Sequence, residues 1–228
     1  MPGTHTDREY EARLDELRER LVRMGRRVEG MIASAVQALI ERDDELAKAT
    51  ILEDDLIDLD EMASDELCLL ILARWQPMAS DLRFVLTALK MVTNLERMGD
   101  LAVNVCERAQ DLSKMEPLVY QNVPIMADIV KSMVGDAVQS FIDRTPDKAR
   151  EVMRRDDEVD ELYVKVFRTI LGTMKEDPES IHRGIHVQSV AKYLERIADH
   201  ATNLAEETVF LVEGDDVRHR IRLARGKE

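Results

Sequence analysis

Glu96-Arg97-Met98-Gly99-Asp100-Leu101-Ala102-Val103-Asn104 is written a second time as Glu195-Arg196-Ile197-Ala198-Asp199-His200-Ala201-Thr202-Asn203, 99 residues further on. Two more echoes stand upstream of it in each copy. Ala35-Val36-Gln37-Ala38-Leu39-Ile40-Glu41-Arg42 returns as Ala137-Val138-Gln139-Ser140-Phe141-Ile142-Asp143-Arg144, and Asp54-Asp55-Leu56-Ile57-Asp58 returns as Asp156-Asp157-Glu158-Val159-Asp160, both at an offset of 102. Three anchors in one order and at nearly one spacing mean that about 100 residues were duplicated, each copy forming one structural unit.

Apolar residues around these anchors recur at helical spacing in six segments. The breaks fall near Arg42 to Asp44, Gln76 to Ser80, Lys114 to Pro124, Thr145 to Pro146 and Glu176 to Ser180. Thr145 and Pro146 are expected to cap and open the fifth helix, Pro178 opens the sixth, and Pro77 marks the turn before the third. Helices of about 30 residues are rods of roughly 45 Å. Short connections make neighbours antiparallel, so each copy reads as an up-down-up bundle. The expected fold is all-α: two pseudo-symmetric three-helix bundles of six long antiparallel helices. The first repeat spans 1–113 and the second 114–213, joined through Ser113 to Pro124. A charged C-terminal tail, 214–228, is expected to fray or to extend the last helix.

Composition agrees. Aromatic residues make up 4% and Gly and Pro number 9 and 6, which suits helices and leaves little for strands, while 45% hydrophobic residues can form a core. A formal net charge of −14 without a compact basic block before Gly214 argues against nucleic-acid binding and favours metal cations or basic patches on a partner. Cys68 and Cys106 lack CxxC spacing and read as core thiols of a reduced cytoplasmic protein. Charged residues through the first fifteen positions leave no apolar signal core, and runs such as Leu67 to Ala73 are far shorter than the roughly 20 residues of a membrane span.

The repeated motif carries the chemistry. At about 100° per residue, Glu96, Asp100, Asn104 and Glu107 share a narrow face, and Leu82, Val85, Leu89, Val92 and Val103 lie close to it, so the acids continue an apolar stripe. Glu195, Asp199, Asn203 and Glu206 repeat the spacing, with Gln188 and Lys192 making the preceding face more polar. The second helix offers Asp54, Asp58, Glu61 and Asp65; the fifth offers Asp156 and Asp160, with Tyr163 in place of a third acid. Partly buried carboxylates at i, i+4 spacing repel one another and call for compensation. Arg97 and Arg196 could supply it as ion pairs, and so could divalent or trivalent cations held by carboxylate oxygens from neighbouring helices.

Gln76-Pro77-Met78-Ala79-Ser80-Asp81-Leu82-Arg83 is similar to the Q-P-x-A-x-D-L-R signature of the PhoU family, regulators of bacterial phosphate uptake. The paired E-R-x-x-D motifs resemble that family too, and the resemblance runs from about Met24 to Val212. It implies a pair of three-helix bundles bearing iron, zinc, manganese or magnesium ions. The implied metal ligands are Glu96, Asp100, Glu195 and Asp199, with Asp54, Asp58, Asp156 and Asp160 from the facing helices; Asn104 and Asn203 would be neutral oxygen donors. The implied role is negative regulation, connecting the ATPase subunit of a phosphate ABC transporter to a sensor histidine kinase. That makes an interaction protein, not an enzyme. It would be cytoplasmic, reach the membrane through partners, and form a homodimer.

Rival readings remain open at the level of sequence. A metal-binding or storage bundle without a signalling role would share the acidic motifs. A di-iron enzyme would want two Glu-x-x-His pairs, and Glu179 with His182 supplies one outside the repeat. His182 and His186, at i and i+4, could bind zinc but lack a repeat partner and read rather as a surface or interface pair, and His200 points away from Asp199. Trp75 is expected to be buried and Ser80 to cap the third helix, while Gln76 to Arg83 reads either as part of a partner-contact surface or as a clasp at the bundle end.

Overall fold

The computed structural model describes residues 5–117 and 122–214. It consists of α1 (His5–Glu41), α2 (Asp44–Leu52), α3 (Asp54–Trp75), α4 (Ala79–Ser113), α5 (Val123–Ile142), α6 (Pro146–Glu176), a single 3-10 turn (Pro178–Ser180) and α7 (Ile181–Glu213), with no strand among the described residues. The six expected rods are present, and the second is jointed at Glu53. Thr50 turns its hydroxyl back to the Leu46 carbonyl at 2.8 Å, and the Glu53 amide donates to both the Thr50 and Ile51 carbonyls. Such back-bonding loosens a helix end, while Asp54 and Asp55 favour a fresh N-terminus with its positive dipole end. Of the expected tail 214–228, Gly214 closes α7 with its amide on the Phe210 carbonyl, and 215–228 lie outside the described residues.

Helix ends follow local chemistry. Asp43 caps α2 by accepting from the Glu45 and Leu46 amides. Arg42 and its repeat equivalent Arg144 both end their helices with positive φ, 58° and 53°, so the duplication extends to an uncommon backbone conformation. Arg42 also reaches across to donate to the Ser113 carbonyl at 2.7 Å and to the Met115 carbonyl, tying down the end of α4.

Three expected caps are corrected. α4 begins at Ala79 behind an extended Met78, and the Ser80 hydroxyl turns to Asp81 at 3.4 Å instead of capping the helix. Asp81 keeps its place in the first turn and accepts from Tyr10 Oη at 2.9 Å. Thr145 occupies the cap position of α6 with no side-chain bond, and Pro178 opens the 3-10 turn rather than α7. Trp75 is half-buried, with Arg74 over its ring at 4.8 Å and Tyr10 at 6.0 Å.

α1, α3 and α4 make the first bundle, with the short α2 against α1 and α4; α5, α6 and α7 make the second. The bundles meet along α1 with α5 and α4 with α7, so these four helices enclose one continuous core. Leu17, Leu21, Met24, Met31, Ile57, Ile71, Phe84, Met91 and Leu95 are buried from the first half; Met126, Met133, Phe141, Leu194, Ile197 and Leu204 join them from the second. Each such side chain contributes roughly 1.5–3 kcal/mol by leaving water. Phe84 stacks on Phe141 across the junction, ring centres 5.2 Å apart. Polar ties cross it as well: Lys90 Nζ donates to both oxygens of Glu207 at 2.9 Å, and His200 Nδ1 lies 2.8 Å from Asn94 Oδ1. Cys68 and Cys106 are buried free thiols, pushed up to about 12 chiefly by burial.

Candidate functional site

In the first half, α3 and α4 lie so close beside the repeated motif that a side chain at Gly99 would meet Asp54 Oδ1 at 2.9 Å and Ile57 Cδ1 at 3.0 Å. Gly99 therefore lets the start of α3 settle against the motif of α4. The core face of α4 runs through Phe84, Ala88, Met91, Leu95, Met98 and Ala102, and the acids occupy its shoulder. Glu96 is the most covered, with 15% of its side chain exposed; Asp100 keeps 43% and Glu107 lies open to solvent. Across from them stand Asp54, half-buried, and Asp58, exposed. The inward aim expected of the whole stripe holds for Glu96 and weakens along the helix, because 3.6 residues per turn carry the later acids off the core face.

These carboxyls share one field. Burial, then Asp100, pushes Glu96 up to about 7, with Arg97 pulling against them and Glu61 and Asp58 adding to the rise. Burial, then Asp58, Asp100 and Asp55, pushes Asp54 up to about 6. Glu61 is raised too, by burial and then Asp65 and Asp58. Arg97 Nη1 lies 3.2 Å from Asp100 and its Nε 3.4 Å from Glu96, but Glu96 Oε2 is buried and accepts no hydrogen bond. Asn104 donates its side-chain amide to the Asp100 carbonyl at 2.9 Å. The cluster is thus short of positive charge and of donors.

The second half solves the same problem internally. Glu195 is as covered as Glu96, yet Lys192 Nζ donates to both of its oxygens at 2.7 Å while lying 5.4 Å over the Tyr163 ring. Glu195, first among the causes, raises the Lys192 pKa. Asp156 is half-buried, whereas Asp160, Asp199 and Asn203 are exposed. Ala198 stands where the first half has Gly99.

An all-oxygen donor set with a buried carboxylate oxygen that accepts no hydrogen bond suits a hard cation, so the residues of the first half fit such an ion chemically. In the second half Lys192 already supplies the countercharge, and the fit is poor. Among the described residues, no three His, Cys, Asp or Glu side chains stand close enough together to hold one ion as they lie. At the far end of α4, His186 lies 3.6 Å from Asp111 and 3.5 Å from Arg108, with His182 edge-on at 4.8 Å. Burial lowers the His186 pKa before Asp111 raises it. His186 thus makes a contact between α4 and α7, while His182 is exposed. The Lys90–Glu207 pair was not anticipated, since nothing in the local pattern marks Glu207, 6% exposed, as the buried member of Glu206-Glu207.

The sequence profile of the PhoU domain matches residues 21–109 and again 123–208. A phosphate-specific transport system accessory protein PhoU homolog of Aquifex aeolicus is 43% identical over 208 residues, covering 91% of this chain and 94% of the relative. The protein of the same description from Pseudomonas aeruginosa is 40% identical over 98% of this chain and 93% of its own length. The crystal structure of PhoU from Pseudomonas aeruginosa superposes with a TM-score of 0.86 at 39% identity, covering 90% of this chain and all of that one. The phosphate transport system regulatory protein PhoU from Streptococcus pneumoniae superposes with a TM-score of 0.85 at 30% identity, covering 91% and 99%.

Proposed function

The chain belongs to the PhoU family, and from that premise we propose that it is a non-catalytic accessory regulator of phosphate uptake. In this reading it represses phosphate-starvation signalling by linking the ATPase subunit of the phosphate transporter to a sensor histidine kinase when phosphate is plentiful. The observation that carries the reading is a match to accessory proteins of phosphate-specific transport that runs through both repeats rather than one. No helix among the described residues is long and apolar enough to cross a membrane, so contact with the transporter would be made through partner surfaces. Homodimer formation belongs to the same proposal.

A metal role is proposed for the first-half cluster, where Asp54, Asp58, Glu96 and Asp100 would hold iron, zinc, manganese or magnesium. A cation there would supply the positive charge that the raised carboxyls lack. The proposal does not extend to Asp156, Asp160, Glu195 and Asp199, the corresponding residues of the second half, because Lys192 holds Glu195 there. The test is affinity purification of the tagged chain from phosphate-replete and phosphate-starved cells, with elemental analysis of the purified protein. Recovery of the transporter ATPase or the kinase, stronger in replete cells, supports the regulator. Metal occupancy without either partner would favour a metal-binding bundle with no signalling role.

A further inference from the structure

The outer face of α1 carries positive charge that the acidic site does not use. Arg18, Arg23, Arg26 and Arg27, together with Val22 and with Ile142 at the end of α5, line an open groove of about 600 Å³. The chain's net charge is −14, so four guanidiniums against a single lining carboxylate, Glu19, run opposite to its overall charge. Gly25 brings the two helices together: a side chain there would meet Val138 Cγ2 at 2.9 Å. The α1 arginines consequently stand beside an apolar floor of Val22 and Ile142 rather than on an isolated helix.

In ion pairs, Arg18, Arg23 and Arg27 meet two carboxylates, Asp15 and Asp60, and Glu19 stands in the groove beside them. Arg18 pairs with Asp15 at 2.5 Å, with its guanidinium also 4.8 Å over the buried Phe84 ring, where Arg144 approaches at 5.9 Å. Arg23 and Arg27 share one carboxylate, Asp60, at 3.0 and 2.9 Å. Arg26 makes no ion pair among the described residues; the charge it acts on is Glu29. Planar forked donors around an apolar floor match a chain that offers carboxylates and apolar side chains together. A simple anion would leave the floor unused, and an open groove would not enclose it.

We propose that this groove docks an acidic, amphipathic segment of a partner protein, with its apolar side chains on Val22 and Ile142 and its carboxylates on Arg23, Arg26 and Arg27. The proposal is independent of the phosphate-transport reading, because it specifies the chemistry of one docking surface whichever protein supplies the segment. The test pans a random library of peptides about 12 residues long against the full chain and measures the enriched peptides by fluorescence anisotropy. The expected winners interleave Asp or Glu with Leu, Ile or Phe, and bind at least about tenfold more weakly to an Arg23→Glu/Arg26→Glu variant that keeps its helical circular dichroism. Enrichment of peptides without acids, or equal affinity for the variant, overturns the proposal. Displacement of the winners by polyglutamate or inorganic phosphate at comparable concentration also overturns it, since that would be a site for anions alone.

Discussion

Glu96 carries its proton to about pH 7 because burial and the neighbouring Asp100 both disfavour its charge. A carboxyl raised in the folded state stabilises the fold fully below its unfolded pKa, and that contribution is lost as pH climbs through the folded value. In chelator-treated protein, Glu96→Gln should therefore match the wild type near pH 4.5 and exceed it near pH 8, by on the order of 1 kcal/mol after solvent screening. Urea melts at the two pH values read this directly. A variant equally stable or less stable at pH 8 would mean that Glu96 is not held in the described environment. The acids themselves were legible, since a repeated spacing survives in sequence. What separates the copies was only half legible: Lys192 was visible as a polar shoulder, but its reach to Glu195 depends on rotamer and on the Tyr163 ring beneath it. Gly99 stood inside the quoted motif, yet its use, admitting Asp54 and Ile57, is a contact between helices that a sequence does not display.

At the level of elements, Arg42 joins a backbone role to a side-chain role. Its φ of 58° ends α1, and its guanidinium closes the carbonyl end of α4. Arg42→Gly should keep the turn and lose the clasp, costing about 1.5–3 kcal/mol for charge-assisted bonds to carbonyls. Arg42→Ala should cost roughly 1 kcal/mol more, because a β-carbon resists positive φ. Thermal denaturation of both variants, with hydrogen exchange at 109–113, checks the order and the place; equal stability of the two would remove the backbone component. Helix boundaries were largely readable because Pro, Gly and charge runs punctuate the chain. The joint at Glu53 was not, since Thr50 and the acids after it fit a continuous helix as easily as a new start. The Ser80 cap failed for a related reason: α4 starts one residue earlier, at Ala79, and the Ser80 hydroxyl turns to Asp81, which also accepts from Tyr10.

Across the whole molecule, the two repeats share one core instead of owning one each. Unfolding should accordingly be a single cooperative transition by calorimetry, despite the twofold sequence pattern. Lys90 and Glu207 reinforce that union from opposite halves. Glu207 is nearly sealed while Lys90 is half in water, so Lys90→Ala should destabilise by about 2 kcal/mol through loss of the charge-assisted hydrogen bonds between them. Lys90→Ala combined with Glu207→Gln should recover part of it; a double variant no better than the single would place the effect elsewhere. The pairing of bundles followed from the duplication, but which helices meet did not, because any rod with an apolar stripe can serve as the seam.

The stacked rings of Phe84 and Phe141 have an outcome for fragments. A chain severed within residues 114–122 would yield two pieces, each presenting half of a buried aromatic pair. Such pieces should find one another and reconstitute as a split protein, whereas either alone should be sticky and poorly soluble. Co-expression of 1–116 with 122–228, followed by gel filtration, would reveal the complementation as a single peak near the size of the uncut chain.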